Sequence, residues 1–190
     1  MDLLAVVSGS SPELKPEVFS VYSYKRLAEL WKEGNPFAWH LALESKLLFS
    51  SDGSDAIKSM GQPARYQRCP EDCEKFLSLF KDSYRSIQSG SASTVFDLGT
   101  AFLSIRNFAT CFSLGVLGRP EFSRHSALRL GQRKIGISMD SYRVMERARI
   151  LCTRGDGSVL TRSEICVAIG ELGGVESWME NLMMEVRRHE

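Results

Sequence analysis

Between Ala92 and Leu117 the chain carries only two charged residues, Asp97 and Arg106, and nothing in that stretch breaks a helix before Gly118-Arg119-Pro120. A helix that is apolar nearly all round has to be enclosed by other elements. The flanking sequence offers those elements. Pro70-Glu71-Asp72 opens a helix that runs to about Gln88, and Ser138 caps another over Met139 to Thr153. After the turn Gly155-Asp156-Gly157, Arg162 to Arg188 is helical, with an interruption expected at Gly170 to Gly174. Four helices with short connections predict an antiparallel four-helix bundle over residues 70–190. Its core is expected to include Phe76, Phe80, Phe96, Phe102, Phe108 and Phe112.

The first third reads differently. Leu3 to Val7 is a continuous apolar run, as in a strand covered on both faces. Val18 to Ser23 is a second strand rich in β-formers. Ser23 caps a helix from Tyr24 to about Glu33, Gly34 ends it, and Asn35-Pro36 starts the next. Leu47-Leu48-Phe49 is expected to add a short strand. The predicted organisation is therefore an α+β domain over 1–60, a linker over 61–69 and the bundle over 70–190. The fold class is α+β, mainly α.

The 24 basic and 23 acidic residues leave a net charge of +1, so no global field draws the chain to nucleic acid or membrane. Any such contact must come from a local patch. Five cysteines give neither an even disulfide framework nor zinc-ligand spacing, since no second Cys or His pair follows Cys69 and Cys73. Three of the five are read as small hydrophobes inside apolar helices. A reducing cytoplasm fits this usage. No stretch is long and apolar enough for a membrane span, and the N-terminus has no basic region of the kind that opens a signal peptide.

Three segments carry a family resemblance. Asp2-Leu3-Leu4-Ala5-Val6-Val7 looks like a metal-binding strand. Val18 to Leu27 with Glu33 to Leu41 looks like elements that close a catalytic domain. Phe102 to Leu117 with Gly118 to His125 looks like a helical partner domain. Together they resemble bacterial nucleotidyltransferase-fold proteins of the polymerase-β type, the minimal and kanamycin-type nucleotidyltransferases, with a C-terminal HEPN-like bundle. The resemblance implies magnesium and a nucleoside triphosphate, held by clustered carboxylates and a Gly-Ser loop. Only Asp2 stands at a matching metal-ligand position, and Glu17 is the nearest acid to the second strand. One carboxylate cannot hold two Mg²⁺ ions against their hydration. The chain is thus expected to be the C-terminal portion of such a protein, acting as a binding or assembly module. An upstream segment would restore Mg-dependent nucleotidyl transfer to a small-molecule, protein or tRNA acceptor. The open edge of Leu3 to Val7 invites a homodimer or a completing partner chain.

HEPN ribonucleases, by the same resemblance, place an Arg, a polar neighbour and a His one helical turn on. Arg106 and Asn107 match, but Cys111 stands where the His would be, so the acid/base group is missing. Arg106 is instead expected to be buried against a carboxylate such as Asp97 or Glu146. The dense basic stretch holds Arg119, Arg124, His125, Arg129, Arg133 and Lys134, with Phe122 interleaved. It is a candidate for binding nucleotide phosphate or RNA backbone, against the alternative of a solvated loop. Arg147, Arg149 and Arg154 would extend it. His40 and Glu44, one helical turn apart, are either a base with its orienter or, more simply, a core histidine bonded to a carboxylate. Met179, Met183 and Met184 near Trp178 are either a partner surface or bundle packing.

Overall fold

The computed structural model describes residues 3–9, 14–15 and 18–189. Asp2 and Glu17 lie outside them. The chain divides into two compact units, Met1–Gln67 and Arg68–Glu190. Helix dominates, with one small parallel sheet, so the fold is α+β and mainly α.

In the first unit, β1 (Leu3–Val7) pairs in parallel with β2 (Phe19–Ser23), Leu3 opposite Phe19 through to Val7 opposite Ser23. A parallel pair needs a long return connection, and residues 8–18 supply it. Period-two alternation puts Leu4 and Val6 on one face, where they pack on Leu27, Leu30, Trp31, Ala38 and Leu41. The strand expected to be covered on both faces is half-buried along its length, because among the described residues only this one layer lies against it. The core residues come from α1 (Tyr24–Lys32) and α2 (Pro36–Glu44). Ser23 Oγ accepts from Arg26 N at 3.1 Å, and Asn35 Oδ1 accepts from Phe37 N at 2.9 Å, so both helix starts are capped by side chains.

Gly34 joins the two helices at φ +62°. A Cβ there would lie 2.4 Å from the carbonyl oxygen of Ala64, so the site excludes every side chain. The stretch expected as a linker is pinned close by. Trp31 Nε1 donates to Gly61 O at 2.9 Å, and Trp39 Nε1 donates to Ala64 O at 3.0 Å. A short helix, α3 (Ala56–Ser59), precedes it. The strand expected at Leu47-Leu48-Phe49 does not form. The segment has no ladder partner among the described residues, and Phe49 is 83% exposed.

In the second unit, α4 (Cys69–Gln88), α5 (Thr94–Gly115), α6 (Met139–Arg154) and α7 (Arg162–Arg188) pack in sequence, and α7 also returns to α4. Helix α5 is enclosed as its composition demands: Leu98, Ala101, Phe102, Ile105, Phe108, Ala109 and Phe112 are buried. Phe96 is an exception to the expected core. It lies in the first turn of α5 and is 58% exposed. Gly99 brings α5 close to α6, since a Cβ there would lie 3.1 Å from the Arg149 Cα. The interruption expected at Gly170 to Gly174 is absent and α7 is continuous. Each helical glycine costs about 1 kcal/mol relative to alanine, which the burial of Leu172, Val175 and Met179 exceeds.

Two carboxylates of α7 fix helix starts. Glu164 and Thr161 form a reciprocal capping box, and Arg147 of α6 donates to Glu164 at 2.6 Å. Glu171 accepts from Ser138 N at 2.7 Å, Ser138 Oγ at 2.6 Å and Ser141 Oγ at 2.8 Å, at the start of α6. Partial burial pushes the Glu171 carboxyl up, but these serine donors win and hold it below its ordinary value. Among the described residues, no helix is long and apolar enough to cross a membrane.

Candidate functional site

The basic stretch between α5 and α6 is an ordered strap with two short 3₁₀ turns, Ser126–Arg129 and Gly131–Arg133, where a plain loop was expected. Its backbone is held by helix side chains. Thr110 Oγ1 donates to the Glu121 carbonyl at 3.0 Å, and Ser113 Oγ accepts from Glu121 N at 3.0 Å. Arg106 Nη2 donates to the Phe122 carbonyl at 3.0 Å, while Ser126 Oγ donates back to the Arg106 carbonyl at 2.9 Å. Tyr142 Oη donates to the Arg124 carbonyl at 2.7 Å. Burial holds the Tyr142 phenol protonated well above its usual range, with Glu146 pushing the same way and Arg106 opposing. A phenol that stays protonated remains a donor at every physiological pH.

Arg106 therefore positions the strap. Of the two carboxylates expected beside it, Asp97 accepts from Ser86 Oγ at 2.9 Å, and Glu146 stands near Arg124 and His125. The guanidinium reaches a main-chain carbonyl, and the Cys at position 111 is buried.

Beside the strap lies a cleft of about 500 Å³ lined by His125, Leu128, Arg129, Met139, Arg143 and Glu146. Glu146 is its inner anion. It stands 3.8 Å from Arg124 and 3.7 Å from His125, with 17% of its side chain exposed. The His125 ring lies against Tyr142 at 5.9 Å between centroids, and Phe102 meets the same phenol edge-on at 5.4 Å. Arg129 faces Glu121 at 3.5 Å. Arg143, exposed at the rim, has no ion-pair partner among the described residues. The cleft thus combines the apolar side chains of half-buried Leu128 and exposed Met139, an imidazole face and a cationic rim. Such a surface can hold a phosphate beside a flat, partly apolar group.

The sequence candidates divide on this geometry. Arg124, His125 and Arg129 gather around the cleft. Arg119 is exposed, donates its N–H to the Ser113 carbonyl at 3.2 Å, and has no contact with His125 among the described residues. Arg133 is occupied by Glu185 at 2.6 Å, and Arg147 by Glu164, so neither adds a free cation. His40 is not a core histidine. It is half-exposed and pairs on the surface with Glu44 at 3.2 Å. Met179 and Met183 are buried in the second unit and only Met184 is exposed, so they form no partner surface. Trp178 donates from Nε1 to the Arg133 carbonyl at 2.8 Å and lies on Phe108. Cys69, Cys73 and Cys111 are buried, whereas Cys152 and Cys166 are exposed.

Sequence reasoning missed Arg143 and the side chains that clamp the strap. A signal for Arg143 was present, because Met139, Arg143 and Glu146 are spaced i, i+4, i+7 on one face of α6. Among the described residues, no group of three or more His, Cys, Asp or Glu side chains could hold a metal ion, and Asp2 lies outside them. Comparison with protein-family models, curated proteins and solved structures returned no match.

Proposed function

We propose that this chain is a binding module whose strap and cleft take single-stranded RNA through its phosphates and one stacked base. The observation that carries the reading is the placement of Arg129, Arg143 and the His125 imidazole around one cleft that Leu128 and Met139 also line. The ion pairs that Arg124 and Arg129 make are 3.8 Å and 3.5 Å long and exposed on the cation side. Such pairs contribute at most about 1 kcal/mol, so a phosphate can displace the carboxylate. Three cations, Arg124, Arg129 and Arg143, at or beside one cleft favour a strand over a single nucleotide. The fold reading that accompanies this is a partial nucleotidyltransferase-like sheet followed by an antiparallel, HEPN-like four-helix bundle. The circuit of packing from α4 through α7 and back supports it. The edge of β1 that is left unpaired in the described two-strand sheet supports completion by the same strand of a second copy.

Fluorescence anisotropy with a labelled single-stranded RNA decamer tests the binding reading. Arg129→Ala and Arg143→Ala are each expected to weaken binding about tenfold, the scale of one charge-assisted contact. Affinity unchanged from the natural chain in both variants would refute it. Displacement of the RNA by a mononucleotide at matching concentration would assign the cleft to a small ligand instead.

A further inference from the structure

Cys69 is the first residue of α4 and Cys73 follows one turn later, with their Sγ atoms 3.9 Å apart. Both are buried, at 7% and 0% exposure. The Cys69 Sγ also lies 3.5 Å from the Cys111 carbonyl oxygen of α5. Nothing in the RNA-binding reading uses these thiols, and packing alone does not require two sulfurs in contact. We propose that Cys69 and Cys73 are a modification site, a thiol pair that hydrogen peroxide converts to an intrahelical disulfide.

The geometry makes closure local. An S–S bond is about 2.0 Å long, so the sulfurs must approach by about 1.9 Å from their present 3.9 Å. Spacing of i, i+4 in a rigid helix resists that movement. Cys69, however, sits at the helix start, where backbone amides have no intrahelical acceptor and the turn is free to shift. Arg68 just before it has already left helical geometry, at φ −93° and ψ 26°. The first turn can therefore rearrange while the rest of α4 stays packed. Fraying of the same turn admits the oxidant to Cys69.

The two sulfurs differ in role. Cys69 is the more accessible, at 7% against 0% exposure and at the helix start, and the contact between the sulfurs holds its thiol below its ordinary pKa while that contact and then burial push Cys73 up. Cys69 is the nucleophile and Cys73 the resolving thiol. The Cys69 thiolate attacks one peroxide oxygen, the O–O bond breaks, and hydroxide leaves from a newly formed sulfenic acid. Cys73 sulfur then attacks the Cys69 sulfur and the S–O bond breaks. The Cys73 proton joins the departing hydroxide as water. In total two thiols lose two electrons, and one peroxide becomes two waters.

The test uses the full chain carrying Cys152→Ser and Cys166→Ser, which removes the exposed thiols. After hydrogen peroxide, denaturation with iodoacetamide and trypsin, the peptide from Cys69 to Lys75 holds both cysteines. It is expected lighter by two hydrogens and unalkylated, with both thiols alkylated when dithiothreitol precedes the iodoacetamide. Adding Cys73→Ser is expected to leave a Cys69 sulfenic acid that dimedone captures. Full alkylation of both residues after peroxide overturns the proposal, as does a disulfide from either to Cys111. A dimedone adduct on Cys73 of a Cys69→Ser chain, with none on Cys69 in the reciprocal variant, overturns the assignment of roles. Where Cys73→Ser fails to fold, the peptide mass from the chain retaining both cysteines still decides.

Discussion

Glu164 shows how much one side chain can do at a helix start. Its carboxylate accepts from Thr161 N at 2.8 Å, Thr161 Oγ1 at 2.8 Å and Arg147 Nη1 at 2.6 Å. These donors, the Thr161 backbone first and Arg147 next, bring its pKa down to about 2. The unfolded chain titrates this group near its ordinary value of about 4.3. Because the folded value is the lower one, the stabilisation is full above the unfolded pKa. It is lost as pH falls through that value toward 2. Glu164→Gln keeps the capping geometry and removes the charge. Melting followed by circular dichroism should show the natural chain more stable than this variant at pH 6, with the gap closing as the pH approaches 2. A gap that stays constant across that range would show that the charge of Glu164 contributes nothing. The Arg106 clamp on the Phe122 carbonyl is the counterpart at the candidate site, a cation placed to hold backbone instead of substrate.

At the scale of elements, β1 and β2 form the least self-sufficient part of the fold. Parallel strands ordinarily have both faces covered, yet β1 is half-buried throughout and Val21 of β2 is 41% exposed. The proposed pairing of β1 with its copy predicts a mass near twice 21.3 kDa by light scattering. Val6→Pro, which removes a ladder donor, is expected to return the chain to monomer. A natural chain that stays at 21.3 kDa across the micromolar range would remove this pairing. What sequence made legible was local. Helix α5 announces itself by its lack of charge, and Ser23, Asn35-Pro36 and Ser138 mark helix starts because a cap is a contact between near neighbours in sequence. What it hid was long-range. Nothing local tells that Leu172 and Val175 will be buried deeply enough to carry α7 through its glycines. Nothing local gives Leu47-Leu48-Phe49 a strand to pair with. The cations of the strap were legible as composition. Their gathering into a cleft depends on Thr110, Arg106 and Tyr142 reaching across to it, and those contacts span 11 to 18 residues.

For the whole molecule, near-neutral charge makes the proposed RNA interface unusually easy to test. A net charge of +1 supplies no long-range attraction, so the salt dependence of binding counts local phosphate contacts alone. Arg124, Arg129 and Arg143 are the cations placed at or beside the cleft. Each neutralised phosphate on a single strand contributes about −0.7 to the slope of log affinity against log salt. The natural chain should therefore give a slope near −2, by the same counterion-release relation applied to three contacts. Arg143→Ala should make it shallower by about 0.7, whereas Arg147→Ala should leave it unchanged, because Arg147 is committed to Glu164. A slope near zero would mean that no phosphate is held, whatever the affinity. A steep slope that both variants leave intact would place the polyanion on another face, and the cleft beside the strap would then have no part in binding it.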